Sequence, residues 1–140
     1  MSLIKLSGLS DIQEAALAPE GLYYLQVLNQ KPKHTDKGGD MINLMISLES
    51  TEDPGTEYAT VFDTMALPGP ADDKEKVEFK LLMIKRRLFW LGLADAINNE
   101  GLDPNDLIGC RTTIPCKVVQ DTYEGKVNNK IQWPFLPDEE

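Results

Sequence analysis

The longest stretch of helical periodicity in the chain runs from Lys74 to Asn98. Its apolar residues recur at the three- and four-residue spacing of one helix face, and that face contains Val77, Leu81, Ile84, Leu88 and Leu91. Asp72 or Asp73 can cap the start, because a carboxylate accepts hydrogen bonds from the unpaired N–H groups of the first turn. The pattern predicts one long helix whose apolar face is buried against the rest of the domain.

On both sides of this helix the pattern changes to the two-residue alternation of β-strands. Five segments show it, and they span Gly21–Lys31, Met41–Ser50, Glu57–Met65, Cys110–Gln120 and Lys126–Trp133. Pro32 either ends the first strand or places it at a sheet edge, because proline has no N–H group for a ladder. Gly38 and Gly39 mark the turn of a first hairpin, and Asp121–Gly125 forms the turn of a second. Asp103–Leu107 is predicted to be a single capped turn with proline at its first position.

Three meandering strands, one helix and a two-strand hairpin are the connectivity of a five-stranded OB-fold barrel. The sequence therefore predicts a mainly β, OB-fold-like barrel with one long helix between strands 3 and 4. An open antiparallel sheet with one covering helix has the same element order, but closure removes the exposed edges and is preferred. Residues 1–20 are expected to be an N-terminal lead-in, with a short helix capped by Ser10 or Asp11. Residues 21–135 form a single domain and residues 136–140 form a short acidic tail.

A chain of 140 residues is long enough for one domain with a core. No apolar run is long enough to span a bilayer and no signal peptide is recognised, so no membrane association is expected. Cys110 and Cys116 lie in one predicted strand, too far apart to bond with each other, which fits a reducing cytosol.

The net charge of −9 at first argues against a nucleic-acid partner. However, the charges are segregated: residues 51–73 hold six acidic and no basic residues, whereas residues 74–98 hold six basic and three acidic ones. Residues 110–135 hold four basic and two acidic ones. Such a surface can bind phosphate on one face, although on charge alone ordinary solvated faces are the simpler explanation.

Catalytic and metal-binding patterns are not found. His34 is the one histidine, and it lies in a polar turn with no nucleophile beside it. The sequence holds no G-x-S-x-G, H-E-x-x-H, P-loop or EF-hand pattern. We therefore expect no enzymatic activity, no cofactor and no metal site.

Aromatic, basic and amide residues do share the predicted strands and turns. Aromatic rings stack on bases and cations neutralise the backbone of single-stranded nucleic acid. For Tyr23, Phe62 and Trp90 a place in the core is expected. For the last hairpin we expect exposure of Tyr123, Lys126, Asn129 and Lys130.

Three short motifs occur in order around the helix. They are Gly21-Leu22-Tyr23 followed by the turn His34–Gly39, then Leu107-Ile108-Gly109, and finally the hairpin Tyr123–Ile131. Together they resemble a family of phage-encoded, single-stranded-DNA-binding-like proteins, over roughly residues 21–135. The resemblance implies an OB-type fold, a role in phage replication or recombination, and a location in the cytoplasm of the bacterial host. It carries no catalytic residues. The acidic segment 51–73 is a departure that argues against the outer face of the third strand as a contact surface.

The sequence thus predicts a protein that binds single-stranded DNA with little sequence preference. The predicted contacts are Lys31, Lys33, Lys37, Arg111, Tyr123, Lys126, Asn129 and Lys130. The alternative is an OB-fold protein-interaction module in a phage assembly. Phage replication or recombination proteins are candidate partners, and the sequence leaves open both a homo-oligomer and partner recruitment by the acidic tail.

Overall fold

A computed structural model describes residues 17–34, 39–53, 55–56, 58–99 and 101–139, with the backbone alone for Tyr123. The elements in chain order are β1 (Gly21–His34), β2 (Asp40–Ser50), β3 (Val61–Ala66), α1 (Lys74–Trp90), α2 (Ala94–Asn98), a 3-10 turn (Pro104–Leu107), β4 (Cys116–Tyr123) and β5 (Lys126–Gln132). The predicted short helix of the lead-in and the Gly38 part of the first turn lie outside the described residues.

The five strands form one antiparallel sheet in the order β3-β2-β1-β4-β5. The prediction of a mainly β protein with five strands is therefore confirmed. Within the described residues, the outermost strands β3 and β5 form no ladder with each other, so the sheet is not closed. The OB-fold barrel stays a prediction.

The core lies on one side of the sheet, which we call the inner face. Alternation along β2 sends Ile42, Leu44, Ile46 and Leu48 to this face, as the sequence pattern predicted. A bulge in β1 between Val27 and Asn29 reverses the alternation for the rest of that strand. Beyond the bulge, β1 continues through Pro32 to His34 while paired only with β2 among the described residues, which is the edge position that proline tolerates.

The prediction of one continuous helix from Lys74 to Asn98 is wrong, because residues 91–93 interrupt it and divide it into α1 and α2. Asp73 caps α1 as expected and accepts a 2.8 Å hydrogen bond from the Lys76 N–H. The helix ends at Trp90 because Gly92 has a φ of +80°, which reverses the chain before α2 begins. A left-handed residue of this kind is tolerated by glycine and cannot continue an α-helix.

The predicted apolar helix face is only partly buried. Leu88 and Leu91 belong to the core and Ile84 packs against it, but Leu81 is 51% exposed. Leu81 lines an open groove. The other walls of this groove include β3, the loop after β3 and α2. The prediction that Leu81 is buried is therefore wrong.

Two strands are shorter at their starts than their patterns predicted. β3 begins at Val61 rather than Glu57, and β4 begins at Cys116 rather than Cys110. Residues before β4 lie beside β1 in an irregular path, where Cys110 O accepts a hydrogen bond from Val27 N and Thr112 N donates one to Leu25 O. The buried Thr112 hydroxyl accepts from Leu25 N at 3.0 Å, so local side-chain bonding replaces a regular ladder there.

Of the two turns predicted after the helix, the capped single turn at Asp103–Leu107 is confirmed. Asp103 caps the 3-10 turn by accepting from Asn105 N, with Pro104 at its start. The last hairpin is tighter than predicted, because only Glu124 and Gly125 separate β4 from β5. Their φ angles of +51° and +78° are those of a type I′ turn, whose twist matches the flanking strands.

The segment after β5 folds back across α1. Trp133 donates from its indole nitrogen to Asp63 on β3 at 3.1 Å, and Trp90 donates to the carbonyl of Pro134 at 3.1 Å. Arg86 holds both carboxylate oxygens of Glu139, at 2.9 and 2.6 Å. This hydrogen-bonded pairing lowers the pKa of Glu139 and raises that of Arg86. The described part of the predicted acidic tail is therefore bound to the domain.

Candidate functional site

The side of the sheet opposite α1 carries a surface that the sequence pattern did not predict as a unit. We call it the outer face. On β1, β2 and β3 it includes these side chains that alternate away from the core: Tyr24, Gln26, Asn29, Lys31, Lys33, Met41, Asn43, Met45, Glu49, Phe62 and Thr64. Because the register pairs these residues across three strands, they form rows rather than scattered positions.

One row of the outer face combines two apolar side chains with one amide. Phe62 on β3 lies opposite Met45 on β2, which lies opposite Asn29 on β1. The Phe62 side chain is 69% exposed, so the expectation that it belongs to the core is wrong. Val61 and Met65 take the inner positions of β3, and strict alternation then sends Phe62 to solvent. Tyr23 is buried as predicted, and Trp90 is half-buried.

The neighbouring rows are polar and basic. Lys31 lies opposite Asn43, and Asn43 lies opposite Thr64, whose hydroxyl donates a 2.8 Å hydrogen bond to the Asn43 amide oxygen. Lys33 lies one row further along, and the spacing of alternate strand residues places it about 7 Å from Lys31. The exposed ammonium groups of Lys31 and Lys33 therefore both lie on the same side of the row that contains Phe62.

Among the described residues, no acidic side chain of β3 itself lies on the outer face of that strand. Asp63 points to the inner side, where Arg87 donates to its two oxygens at 2.7 and 3.1 Å. Asp72 bonds to Lys80 and to the Gly69 N–H, which lowers the pKa of this carboxyl. The objection that the sequence raised against the third strand therefore does not apply to its outer face.

Arg111 extends the outer face across β1. A bridge pairs it with Gln26, which alternates outward with Tyr24. The guanidinium lies over the Tyr24 ring, 4.7 Å from its centroid, and Nη1 donates to Glu49 Oε2 at 2.5 Å. Arg111 is exposed as predicted, but it is ion-paired with a carboxylate of the same face.

The β4–β5 hairpin contributes further cations. Lys126 and Lys130 are exposed, opposite Tyr123 and Val119 respectively, and they alternate on the same side of β5. Lys117 lies opposite the outward-facing Leu22, so the register joins this side of the hairpin to the outer face. Five predicted contacts thus lie on the same side of the sheet, namely Lys31, Lys33, Arg111, Lys126 and Lys130. Lys31 and Lys33 lie beyond one end of the short β1–β4 pairing, whereas Lys126 and Lys130 lie beyond its other end.

Asn129 has a structural role instead. Its amide oxygen accepts from Ala18 N at 2.9 Å and its amide nitrogen donates to Ala18 O at 2.8 Å. It alternates with the buried Ile131, so it faces the other side of β5 and holds the chain before β1 in place. Asn129 therefore lies on a different side of β5 from Lys126 and Lys130, and its nucleic-acid contact stays a prediction. Lys37 and the side chain of Tyr123 lie outside the described residues, and their contacts stay predictions.

Sequence reasoning missed several members of this surface. Phe62 and Asn43 were not selected, and Lys117 was noted only as one of several basic residues. The alternation of side chains along β3 could have identified Phe62. Val61 and Met65 are four residues apart and share one face of the strand, so Phe62 belongs to the other face. The same alternation along β5 groups Asn129 with Ile131, which separates it from Lys126 and Lys130.

Two concave regions lie away from the outer face. An apolar groove of about 690 Å³ opens between the two helices and strands β2 and β3. Its lining includes Leu81, Lys85 and Ile97. A smaller pocket of about 270 Å³ at the start of β1 is lined by Glu20, Glu52 and other residues, including Tyr23. The Tyr23 hydroxyl donates to Pro19 O at 2.5 Å, and burial raises its pKa.

The candidate metal ligands and the thiols among the described residues offer little support for a catalytic site. In the part of the chain that the structure describes, no three His, Cys, Asp or Glu side chains are grouped so that they could hold a metal ion. Both cysteines are free thiols, and burial raises the pKa of Cys116 to about 11, which keeps it neutral and poorly nucleophilic. The described helices include none that is long and apolar enough to cross a membrane.

Comparison of the chain with models of known protein families and with curated proteins finds no match, so the geometry of the outer face is the basis for assigning a function.

Proposed function

We propose that this chain is a non-enzymatic protein that binds single-stranded DNA on the outer face of its sheet, with little sequence preference. The single observation that carries the proposal is the position of Phe62. The Phe62 ring is 69% exposed on the outer face of the edge strand β3, so its apolar surface lies in water and a stacked partner would cover it. Bases supply such a partner through their flat faces.

The groups around Phe62 suit a polyanion with aromatic bases. Lys31 and Lys33 stand beside its row and can neutralise successive phosphates. Asn43, held by the Thr64 hydroxyl, offers amide hydrogen bonds to base edges or sugars. Since only the amide is directional and the stacking and charge contacts suit any base, little sequence preference is expected.

An OB-type architecture is part of the proposal. The order β3-β2-β1-β4-β5, with helices between β3 and β4, is the strand connectivity of that fold. OB-folds are partly open Greek-key barrels that bind oligonucleotides on the face of strands 2 and 3. The hydrogen bond from Trp133 to Asp63 brings the end of β5 against β3, which supports a nearly closed arrangement. Phe62, Met45 and Asn43 lie on the corresponding strands.

The wider role follows from the resemblance of the three short motifs. They support a function in phage replication or recombination, in the cytoplasm of the bacterial host, with replication or recombination proteins as further partners. Homo-oligomerisation is compatible with this role and is a separate question.

A second candidate function is a protein-interaction module in a phage assembly. The observation that favours it is the apolar groove beside α1, where Leu81 is 51% exposed at an open rim. A partner that inserts apolar side chains there would bind with little dependence on salt. This behaviour separates it from the binding of a polyanion.

Fluorescence anisotropy with labelled oligo-dT at two salt concentrations tests the proposed function. Phe62→Ala is expected to weaken binding about fivefold to hundredfold, since stacking on one ring contributes roughly 1–3 kcal/mol. Phe62→Tyr keeps the ring and should bind nearly as well as the native protein.

The matched control is Phe79→Ala, which removes another strongly exposed phenylalanine from α1, on the opposite side of the sheet. It should leave binding unchanged. Equal effects of Phe62→Ala and Phe79→Ala, or an affinity that does not respond to salt, would rule out the outer face as the site.

A further inference from the structure

Arg111 has a neighbour that opposes its proposed use. Among the basic residues assigned to the outer face, Arg111 is bound by a carboxylate of that face, with its Nη1 donating to Glu49 Oε2 at 2.5 Å. The two side chains are 45% and 44% exposed, so water and salt reach the pair and it is weak. A weak pair of this kind can exchange partners without leaving a buried charge.

Tyr24 holds the guanidinium in a position from which the exchange is possible. The guanidinium carbon lies over the ring, 4.7 Å from its centroid, which is within the range of a cation–π contact. A guanidinium has five N–H donors, and Nη1 of Arg111 donates to Glu49. Arg111 can therefore turn its edge from Glu49 to another anion while it stays stacked on Tyr24.

We propose that Glu49 is an intramolecular competitor that occupies Arg111 until a backbone phosphate of the single strand replaces it. The inference rests on the proposed function and adds a regulatory residue to that site. A phosphate delivered by a strand already held at Phe62 and Lys31 has a high local concentration, whereas a free ion or a poorly fitting anion does not. Glu49 thus lowers the affinity for stray anions more than the affinity for the polymer.

The exchange has a specific consequence for the salt dependence of binding. A cation that neutralises one phosphate of a single strand releases condensed counterions, with a slope of about −0.7 in log affinity against log salt. In the native protein the released Glu49 carboxylate attracts a cation at the same time, and this uptake offsets much of the release. Removing the Glu49 charge should therefore both strengthen binding and make it more sensitive to salt.

The test compares Glu49→Gln with the native protein by anisotropy of labelled oligo-dT over a salt series. Glu49→Gln is expected to bind up to about fivefold more tightly at low salt, as the loss of one exposed ion pair allows, with a slope steeper by up to about 0.7. Arg111→Gln should cost more affinity in the Glu49→Gln background than in the native one, and this difference measures the competition. Glu49→Thr serves as a second variant that removes the charge and suits a strand.

Two controls distinguish competition by Glu49 from a general effect of charge and from failure of the proposed function. Glu78→Gln removes the same charge from an exposed position on α1, and it should give a smaller gain with no change in slope. Lys31→Gln should weaken binding in every background. If Lys31→Gln weakens binding but Glu49→Gln has no more effect than Glu78→Gln, the competition is refuted while the proposed function stands. If no variant and no native protein binds oligo-dT, both are refuted.

Discussion

The ion pair between Asp63 and Arg87 offers the sharpest test of how this fold is held together. Both side chains are only 12% exposed, and Arg87 donates to the two Asp63 oxygens at 2.7 and 3.1 Å. Trp133 donates to the same carboxylate at 3.1 Å. Asp63 therefore connects β3, α1 and the segment after β5 through one side chain.

Asp63→Ala should destabilise the protein strongly, because it leaves the Arg87 charge and the Trp133 indole N–H without this acceptor. Removing one partner of a buried pair costs about 3–5 kcal/mol, and the remaining exposure favours the lower figure of about 3 kcal/mol. An unfolding entropy of roughly 2.1 cal/mol/K per residue gives about 0.3 kcal/mol/K for a chain of this length. The expected fall in Tm is thus about 10 °C.

Thermal unfolding followed by circular dichroism measures this fall, with Glu49→Ala as the matched control. That variant breaks a pair of similar length at the surface, and exposed pairs contribute about 1 kcal/mol or less, or up to about 3 °C. The double variant Asp63→Leu with Arg87→Met should recover most of the lost stability, because no unpaired charge remains. An Asp63→Ala protein that melts no lower than the Glu49→Ala protein would show that the pair does not hold the three elements together.

Two further predictions concern α1 and the segment that crosses it. Leu88→Ala should lower the free energy of unfolding by about 2–5 kcal/mol in urea titrations. Leu81→Ala on the same helix should lower it by well under half as much, because Leu81 is 51% exposed. Equal losses would mean that the groove beside Leu81 is closed in solution. The pKa of Glu139 is lowered from its ordinary 4.5 by the Arg86 hydrogen bonds, so its contribution to stability is complete above pH 4.5 and disappears as the pH falls through the folded-state value. Unfolding titrations from pH 7 to pH 3 should therefore show a smaller acid-induced loss for Glu139→Gln than for the native protein, and parallel curves for the two would contradict this.

Local rules predicted the elements that depend on neighbouring residues. The cap at Asp73 and the turn at Pro104 follow from side chains that satisfy backbone groups two or three positions away. The inner face of β2 follows from four apolar residues at alternate positions. In each case the physical cause lies within a few residues of sequence, so no knowledge of the tertiary structure is needed.

Positions decided by distant partners were not predictable in the same way. Asp63 was counted as part of an acidic surface because its partners, Arg87 and Trp133, lie far along the chain. Asn129 read as an exposed amide because its partner Ala18 is 111 residues away. The break at Gly92 is a different case, since apolar periodicity continued through it and the positive φ of the glycine decided the outcome.

The same limits apply to the candidate site. Basic residues such as Lys31 and Lys130 could be named from sequence, but the choice of face could not be made without knowing which side α1 covers. Phe62 shows the consequence most clearly. A large aromatic residue in a strand is usually placed in the core, and only the competing pair Val61 and Met65 indicates otherwise.

The chain contains two tryptophans, and their intrinsic fluorescence reports on one region of the fold. Trp90 and Trp133 both bond to groups near α1, namely the Pro134 carbonyl and the Asp63 carboxylate. Their emission therefore reports whether the last segment is seated on the helix, and Trp133 packs against the core, on the other side of β3 from Phe62. A ligand on the outer face should leave the emission spectrum unchanged at concentrations that saturate anisotropy, while release of the segment should shift it to longer wavelength. Occupancy and integrity of the fold can thus be monitored separately in a single cuvette.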